Sequence, residues 1–421
     1  MIRRRHLLAG AALAGLPPAV RAQVKPRVTF LSQWSAGADG VAIETLGKRL
    51  EKEGGIWQHS PIPGFTTEMM TKLRAGITAG RLPAASQLKG PEIAEWARLT
   101  PTLDLEPIVP AGYETLMSAQ LARLHRPAGR WLALPLQVFR TNDMYLSRVA
   151  MAKVGATKAP TTWAEFTELA AAMKAAGIIP LANGGLRWDH GTKLEIALAG
   201  ISADVYRAAL MELDPKALQG PEMQHAFALV RKFVGWMSPS TSHLHYWINL
   251  PDLIKGEFGM LLMGGFAQGE MRSFGARPDE VLVTSAPQDE GKPCFVLNAD
   301  SLIFWKHEEP DLVAGQQLLA KLILQKDVQE KYSQITGSNP VRTDVDLSGP
   351  GWSDGQRTAA AVRRESIRTG RVLLSFAHNM ALPNQIASAM IDVVLAFIRN
   401  DDMTPEEGAK RLAAAAAAAR K

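Results

Sequence analysis

The chain predicts an α/β protein of two interwoven lobes, and three observations carry that expectation. Its 421 residues exceed what one compact core usually holds, so length favours two lobes over a single module. Short apolar runs alternate with amphipathic helical periods, the pattern of mostly parallel sheets flanked by helices. Beyond residue 22 no Gly/Ser or Pro-rich tract and no fixed-period repeat interrupts the chain, so it is expected to cross between lobes more than once. With 47% hydrophobic and 21% charged residues, a disordered or fibrous chain is excluded.

The elements follow in order. Residues 28–33 alternate apolar and polar side chains (Val28, Phe30, Ser32) and read as a strand. Ser35-Ala36-Gly37-Ala38-Asp39-Gly40 then turns into a helix carrying Ile43, Leu46 and Leu50, which Gly54-Gly55 closes. Met70, Leu73 and Ile77 mark a second helix, residues 84–88 a short strand, and 91–98 another helix. After Pro107-Ile108-Val109-Pro110 the character changes, and the apolar run 131–138 enters a helix-rich region. There Thr162-Trp163-Ala164-Glu165 is a capping box, and its helix lines up Phe166, Leu169 and Met173 before stopping at Gly177. Residues 258–263 are a buried-strand run ended by Gly264-Gly265, and 297–305 are a further strand. From Pro310 the chain is largely helical, with Ile386, Met390, Val394 and Phe397 on one face. Thr404-Pro405-Glu406-Glu407 supplies a cap, a first-turn proline and early acids for a last helix, which continues through an alanine run.

The formal charge of +6 suggests a nucleic-acid partner until residues 1–22 are set aside. Arg3-Arg4-Arg5, the apolar segment Leu7 to Leu16 and Val20-Arg21-Ala22 read as a cleaved secretory signal. Without its four arginines the chain has 43 basic and 41 acidic side chains, and a net +2 gives no electrostatic case for nucleic acid. Arg4-Arg5-His6-Leu7-Leu8 matches the twin-arginine pattern in part, so both that export route and the general secretory route stay open. No cysteine follows the cleavage site, and no later stretch reaches the roughly 20 apolar residues of a spanning helix. A periplasmic product is expected. The lone Cys294 excludes an intrachain disulfide and a cysteine-rich zinc site.

Six stretches, in order along the chain, resemble the extracellular solute-binding proteins of sugar ABC transporters, in particular the glucose- and mannose-binding branch. They are Trp34-Ser35-Ala36-Gly37-Ala38-Asp39, Gln87 to Ile93, Pro160 to Phe166, Ala299-Asp300-Ser301, Gly337 to Arg342 and Ser375-Phe376-Ala377-His378. The resemblance implies a type II-like periplasmic binding-protein fold with hinged lobes. Lobe 1 would comprise residues 23–137 and about 300–350, and lobe 2 residues 138–299 and about 351–421. It also implies a small-molecule sugar or polyol ligand, inner-membrane permease subunits as partners, a monomer, no cofactor and no metal.

The resemblance carries over Trp34, Asp39, Lys89, Trp188, Asp300 and His378 as ligand-binding residues. The chemistry agrees: a sugar offers apolar C–H faces to aromatic rings and hydroxyls to charged groups and amides. Trp34, Asp39 and Lys89 fall where strands give way to helices, the edge at which open sheets place ligands. Asp300 lies inside a strand, where a lone carboxylate needs a partner or a ligand. Each has a structural reading beside this one: core residue for Trp34, helix N-cap for Asp39, solvated lysine for Lys89, packing histidine for His378. Asp189 and His190 could join Trp188 at the ligand or cap a helix starting near Thr192. The chain departs from the branch at Gln33-Trp34 in place of paired tryptophans, and at Phe139, Gly265-Phe266 and Thr336 in place of polar contacts. These losses point away from glucose. A secreted hydrolase is the rival class, but glycine-rich phosphate loops and H-E-x-x-H are absent. His243-x-His245 has no third metal ligand near it. A ligand-presenting sensor subunit would share fold and site.

Overall fold

The computed structural model describes residues 24–62 and 66–420. The secretory signal expected at residues 1–22 lies outside the described residues.

Two sheets organise the chain. The larger has the order β10-β4-β9-β3-β1-β2, with β11 joined to β9. Its strands are β1 (Arg27–Ser32), β2 (Ile56–Pro61), β3 (Ala85–Leu88), β4 (Ala133–Arg140), β9 (Phe295–Phe304), β10 (Asn339–Pro340) and β11 (Val372–Leu374). The smaller runs β6-β7-β5-β8, from Ile179–Leu181, Phe258–Met263, Asp143–Ser147 and Val281–Ser285 respectively. Each has its own apolar core: Phe30, Ile43, Leu134, Leu302 and Leu319 lie in the first, Leu146, Phe166, Ile196, Phe233 and Phe397 in the second.

Both sheets are mixed, which corrects the expectation of mostly parallel ones. β1 pairs parallel with β2 and β3, but β3 and β4 both pair antiparallel with β9. In the smaller sheet β5 runs antiparallel to β7 and β8, and only β6–β7 is parallel. The crossings between sheets account for this. β9 returns from the second sheet into the middle of the first, between β3 and β4, and enters it against their direction. β9 is buried along its whole length, and a strand buried on both faces gives no clue in sequence to its direction.

The crossings also move the expected lobe boundaries. A cut at 137/138 falls inside β4, a cut at 299/300 falls inside β9, and β11 belongs to the first sheet. The chain changes sheet at Thr141-Asn142. There Thr141 N–H donates to Val296 O at 2.8 Å, and Val296 N–H donates to the Asn142 side-chain oxygen at 3.0 Å. Strand alternation lets β9 and β11 serve both cores: Phe295, Leu297, Val372 and Leu374 face the first, Val296 and Leu373 the second. A buried ion pair between Arg140 and Asp143 spans the same crossing.

Most helices match the sequence periods. Gly37–Lys52 buries Ile43, Leu46 and Leu50, Trp163–Ala175 buries Phe166 and Met173, and Pro405–Ala419 starts with Thr404 accepting from Glu407 N–H at 3.1 Å. The helix expected near Thr192 is Arg187–Ile201 and begins five residues earlier. It is buried nearly all round, so no amphipathic stripe marks its start.

Candidate ligand cleft

A cleft of about 550 Å³ opens between the two sheets, and Trp34, Asp39, Lys89, Trp188, Asp300 and His378 all line it. The volume lies within the roughly 300–1,000 Å³ of pockets that enclose small organic molecules.

The first lobe contributes a polar wall built on strand ends. Trp34 follows β1; its ring lies 6.1 Å from Phe30 and 6.3 Å from Tyr332, so it is a core residue with one edge on the cleft. Asp39 sits in the first turn of the Gly37–Lys52 helix rather than at its N-cap, which is Ala36. Lys89 follows β3 and donates to the Asn298 side-chain oxygen at 3.3 Å, with Asp300 at 3.8 Å. Asp300 lies directly across the ladder from Gln137 of β4. It accepts from Gln87 Nε2 at 3.2 Å and from Gln137 Nε2 at 3.0 Å.

Gln137 connects the two carboxylates. Its Oε1 accepts from the Thr336 hydroxyl at 2.8 Å, which turns its NH₂ toward Asp300 and also toward Asp39. Thr336, one of the departures from the glucose-type pattern, thus serves the cleft indirectly. Burial pushes the Asp39 carboxyl up to about 8, and the nearby charges of Asp300 and Glu270 act in the same direction. Gln137 and Lys89 offset only part of this.

The second lobe contributes an aromatic wall. Trp188, in the first turn of Arg187–Ile201, packs edge-on to Tyr246 at 6.0 Å and to Phe266 at 6.1 Å. Phe266 in turn meets Phe139 edge-on at 5.6 Å, closing the floor near the point where the chain crosses between the sheets. His378 lies beyond β11, 5.5 Å from Trp188 and 5.7 Å from Phe266. Its Nδ1 is held by the Ser375 hydroxyl at 2.8 Å and faces Glu195 at 3.4 Å. Burial alone would raise Glu195, but His378, Ala377 N–H and Ser375 donate to it and hold it below its ordinary value. His378 Nε2 and Trp188 Nε1 are buried without hydrogen-bond partners among the described residues. They are polar groups a ligand can satisfy.

Asp189 and His190 do not line the cleft. They lie behind its wall with the buried Lys193, which donates to Gly184 O at 2.7 Å. Burial pushes the Asp189 carboxyl up and the Lys193 ammonium down.

Sequence reading missed Asn298, Arg74, His245, Trp247 and Glu270, all on the cleft. Asn298 carried a usable signal, since it lies two residues before Asp300 in the same strand and so shares its face. His245 caps the short 3-10 helix Tyr246–Asn249 and is stacked on Trp247 within it at 3.6 Å, where no periodicity marks them. Glu270 reaches the cleft only because its lobe packs against the first.

Two lobes with separate cores, joined by crossing strands and enclosing a cleft with one polar and one aromatic wall, define a two-lobe binding protein. The chain matches the bacterial extracellular solute-binding protein family over residues 45–359 and belongs to that family. Its relatives are binding proteins rather than enzymes. It is 33% identical over 418 residues to a probable sugar-binding periplasmic protein of Brucella suis, covering 97% of this chain and 96% of that one. A protein of the same description from Rhizobium meliloti is 31% identical over 423 residues, covering 99% and 100%. Among solved structures, a chitin oligosaccharide binding protein superposes with a TM-score of 0.77 at 19% identity, covering 94% of this chain and 99% of the other. A maltose-bound protein of T. maritima superposes with a TM-score of 0.74 at 18% identity, covering 92% and 98%.

Proposed function

We propose that this chain is the substrate-binding component of an ABC importer, capturing a sugar or related polyol in the periplasm and delivering it to inner-membrane permease subunits. The observation that carries this reading is the division of the cleft into two chemically different walls. A pyranose has C–H faces and a rim of hydroxyls. The rings of Trp188, Phe266 and Tyr246 suit the faces, and Asp39, Lys89, Asn298 and Asp300 suit the rim. The relatives described as sugar-binding periplasmic proteins span nearly the whole chain and support the same reading.

In this reading Trp34, Asp39, Lys89, Trp188, Asp300 and His378 contact the ligand, and residues 1–22 are removed on export. The hinge is the set of crossings at residues 141–142, 286–294 and 375, and the protein works as a monomer. Phe139 and Phe266 give the floor an apolar character that favours a ligand with few polar groups at that end. The test is a thermal-shift screen of the protein from Gln23 onward against sugars, polyols, sugar acids and amino acids, since a ligand that binds only the native state raises its melting temperature. Stabilisation by a sugar or polyol is expected. Stabilisation by amino acids alone would overturn the sugar reading.

A further inference from the structure

The Gly37–Lys52 helix begins without a side-chain cap of its own. Ala36 is its N-cap residue, with φ −154° and ψ −179°, and offers no oxygen to the first N–H groups. The acceptor comes from the other lobe. Glu270 lies in the Ala267–Ser273 helix that follows β7, and its carboxylate accepts the Ala38 N–H. Gly37 has φ +62°, and a Cβ there would stand 2.7 Å from both Glu270 carboxylate oxygens. Glycine at this position therefore serves two needs, the left-handed backbone and the close approach of the carboxylate.

The neighbouring turn is fitted to the first lobe as well. A Cβ at Gly269 would meet the Ala38 methyl at 2.8 Å. Gln268 Oε1 accepts from the Ser353 hydroxyl at 2.8 Å. Glu270 also faces Asp39, so bringing it into place sets two carboxyl groups close together. The Glu270 charge is one of the causes that, after burial, raise the Asp39 carboxyl to about 8, so Asp39 holds its proton beside it. The contact joins one lobe to the other, so whatever it contributes is lost when they separate.

We propose that Glu270 is a clasp between the lobes, a positioning residue that supplies the missing cap of the Gly37–Lys52 helix and thereby fixes Asp39 in the closed cleft. It acts through the helix backbone and is independent of which solute the cleft takes. The clasp joins side chain to main chain, so its loss leaves both cores intact.

The experiment measures the distance between the lobes without added solute. Spin labels at Glu44→Cys and Asp279→Cys, both exposed and one on each lobe, report it by pulsed electron resonance, while Cys294 is buried and stays unlabelled. Glu270→Ala should move the distribution to longer distances and lower the closed-to-open ratio about fivefold, the size of a lost helix cap. Glu270→Gln keeps an acceptor oxygen and should shift it far less. Gly37→Ala, which blocks the carboxylate from the opposite side, should open the lobes as Glu270→Ala does. An unchanged distribution in Glu270→Ala overturns the proposal, and so does a Gln variant as open as the Ala variant.

Discussion

Asp300 lies in the middle of a buried strand and lines the cleft. Two glutamine amides hold its oxygens, so the carboxylate is fixed in place there. Asp300→Asn removes the charge and turns an NH₂ toward one of those donors. Charge-assisted hydrogen bonds are worth about 1.5–3 kcal/mol, so affinity should fall about tenfold to a hundredfold at 1.4 kcal/mol per decade. Calorimetric titration with the sugar found by the thermal-shift screen measures it, and a wild-type titration would remove Asp300 from the site. Asp39 predicts a pH effect. Its carboxyl rises from 3.8 to about 8 on folding, so between those values the folded chain holds a proton that the unfolded chain has lost. Stability from this group therefore falls as pH rises through that window. Asp39→Asn should flatten the decline in urea unfolding measured across the range. Identical slopes in parent and variant would refute the assignment.

At the scale of elements, the helix Trp163–Ala175 separates packing from binding. Trp163 lies in the second core against Phe166 at 5.3 Å and Phe233 at 5.2 Å, and it is absent from the cleft. Trp163→Ala should cost about 3–5 kcal/mol of stability and leave affinity near wild type. Trp34→Ala should cost both, because Trp34 is only 3% exposed and packs in the first core while lining the cleft. Denaturant midpoints and titrations of the two variants, read side by side, distinguish these outcomes. A Trp163→Ala protein that stays folded but loses binding would mean that the cleft has been placed wrongly. The capping and periodicity of this helix were legible in its sequence. The early start of Arg187–Ile201 was not, because a helix buried on every side has no stripe to read.

For the whole molecule, two lobes joined by crossing strands around one cleft lead to the expectation that they close on a solute. Sugar hydroxyls must be satisfied once water leaves, and a closing cleft does this better than a fixed groove. Solution scattering should give a smaller radius of gyration with saturating ligand than without, and an unchanged radius would count against closure. Export makes a separate prediction: in a Gram-negative host the periplasmic fraction should contain a chain starting at Gln23. A cytosolic chain starting at Met1 would contradict it.

The sequence by itself determined the α/β class, most element positions and the six residues that line the cleft. Helical periods, caps and strand runs are local, and the resemblance tied those six residues to short motifs that keep their order. Only the tertiary structure decided strand direction, the lobe boundaries and the cross-lobe partners. Gln137, Thr336 and Glu195 act on the cleft residues through hydrogen bonds, Gln137–Asp300 spanning 163 residues of chain and Thr336–Gln137 spanning 199. No local pattern encodes such pairings. They exist because β9 re-enters the first sheet between β3 and β4 and because two separately packed cores bring their edges together around one cleft.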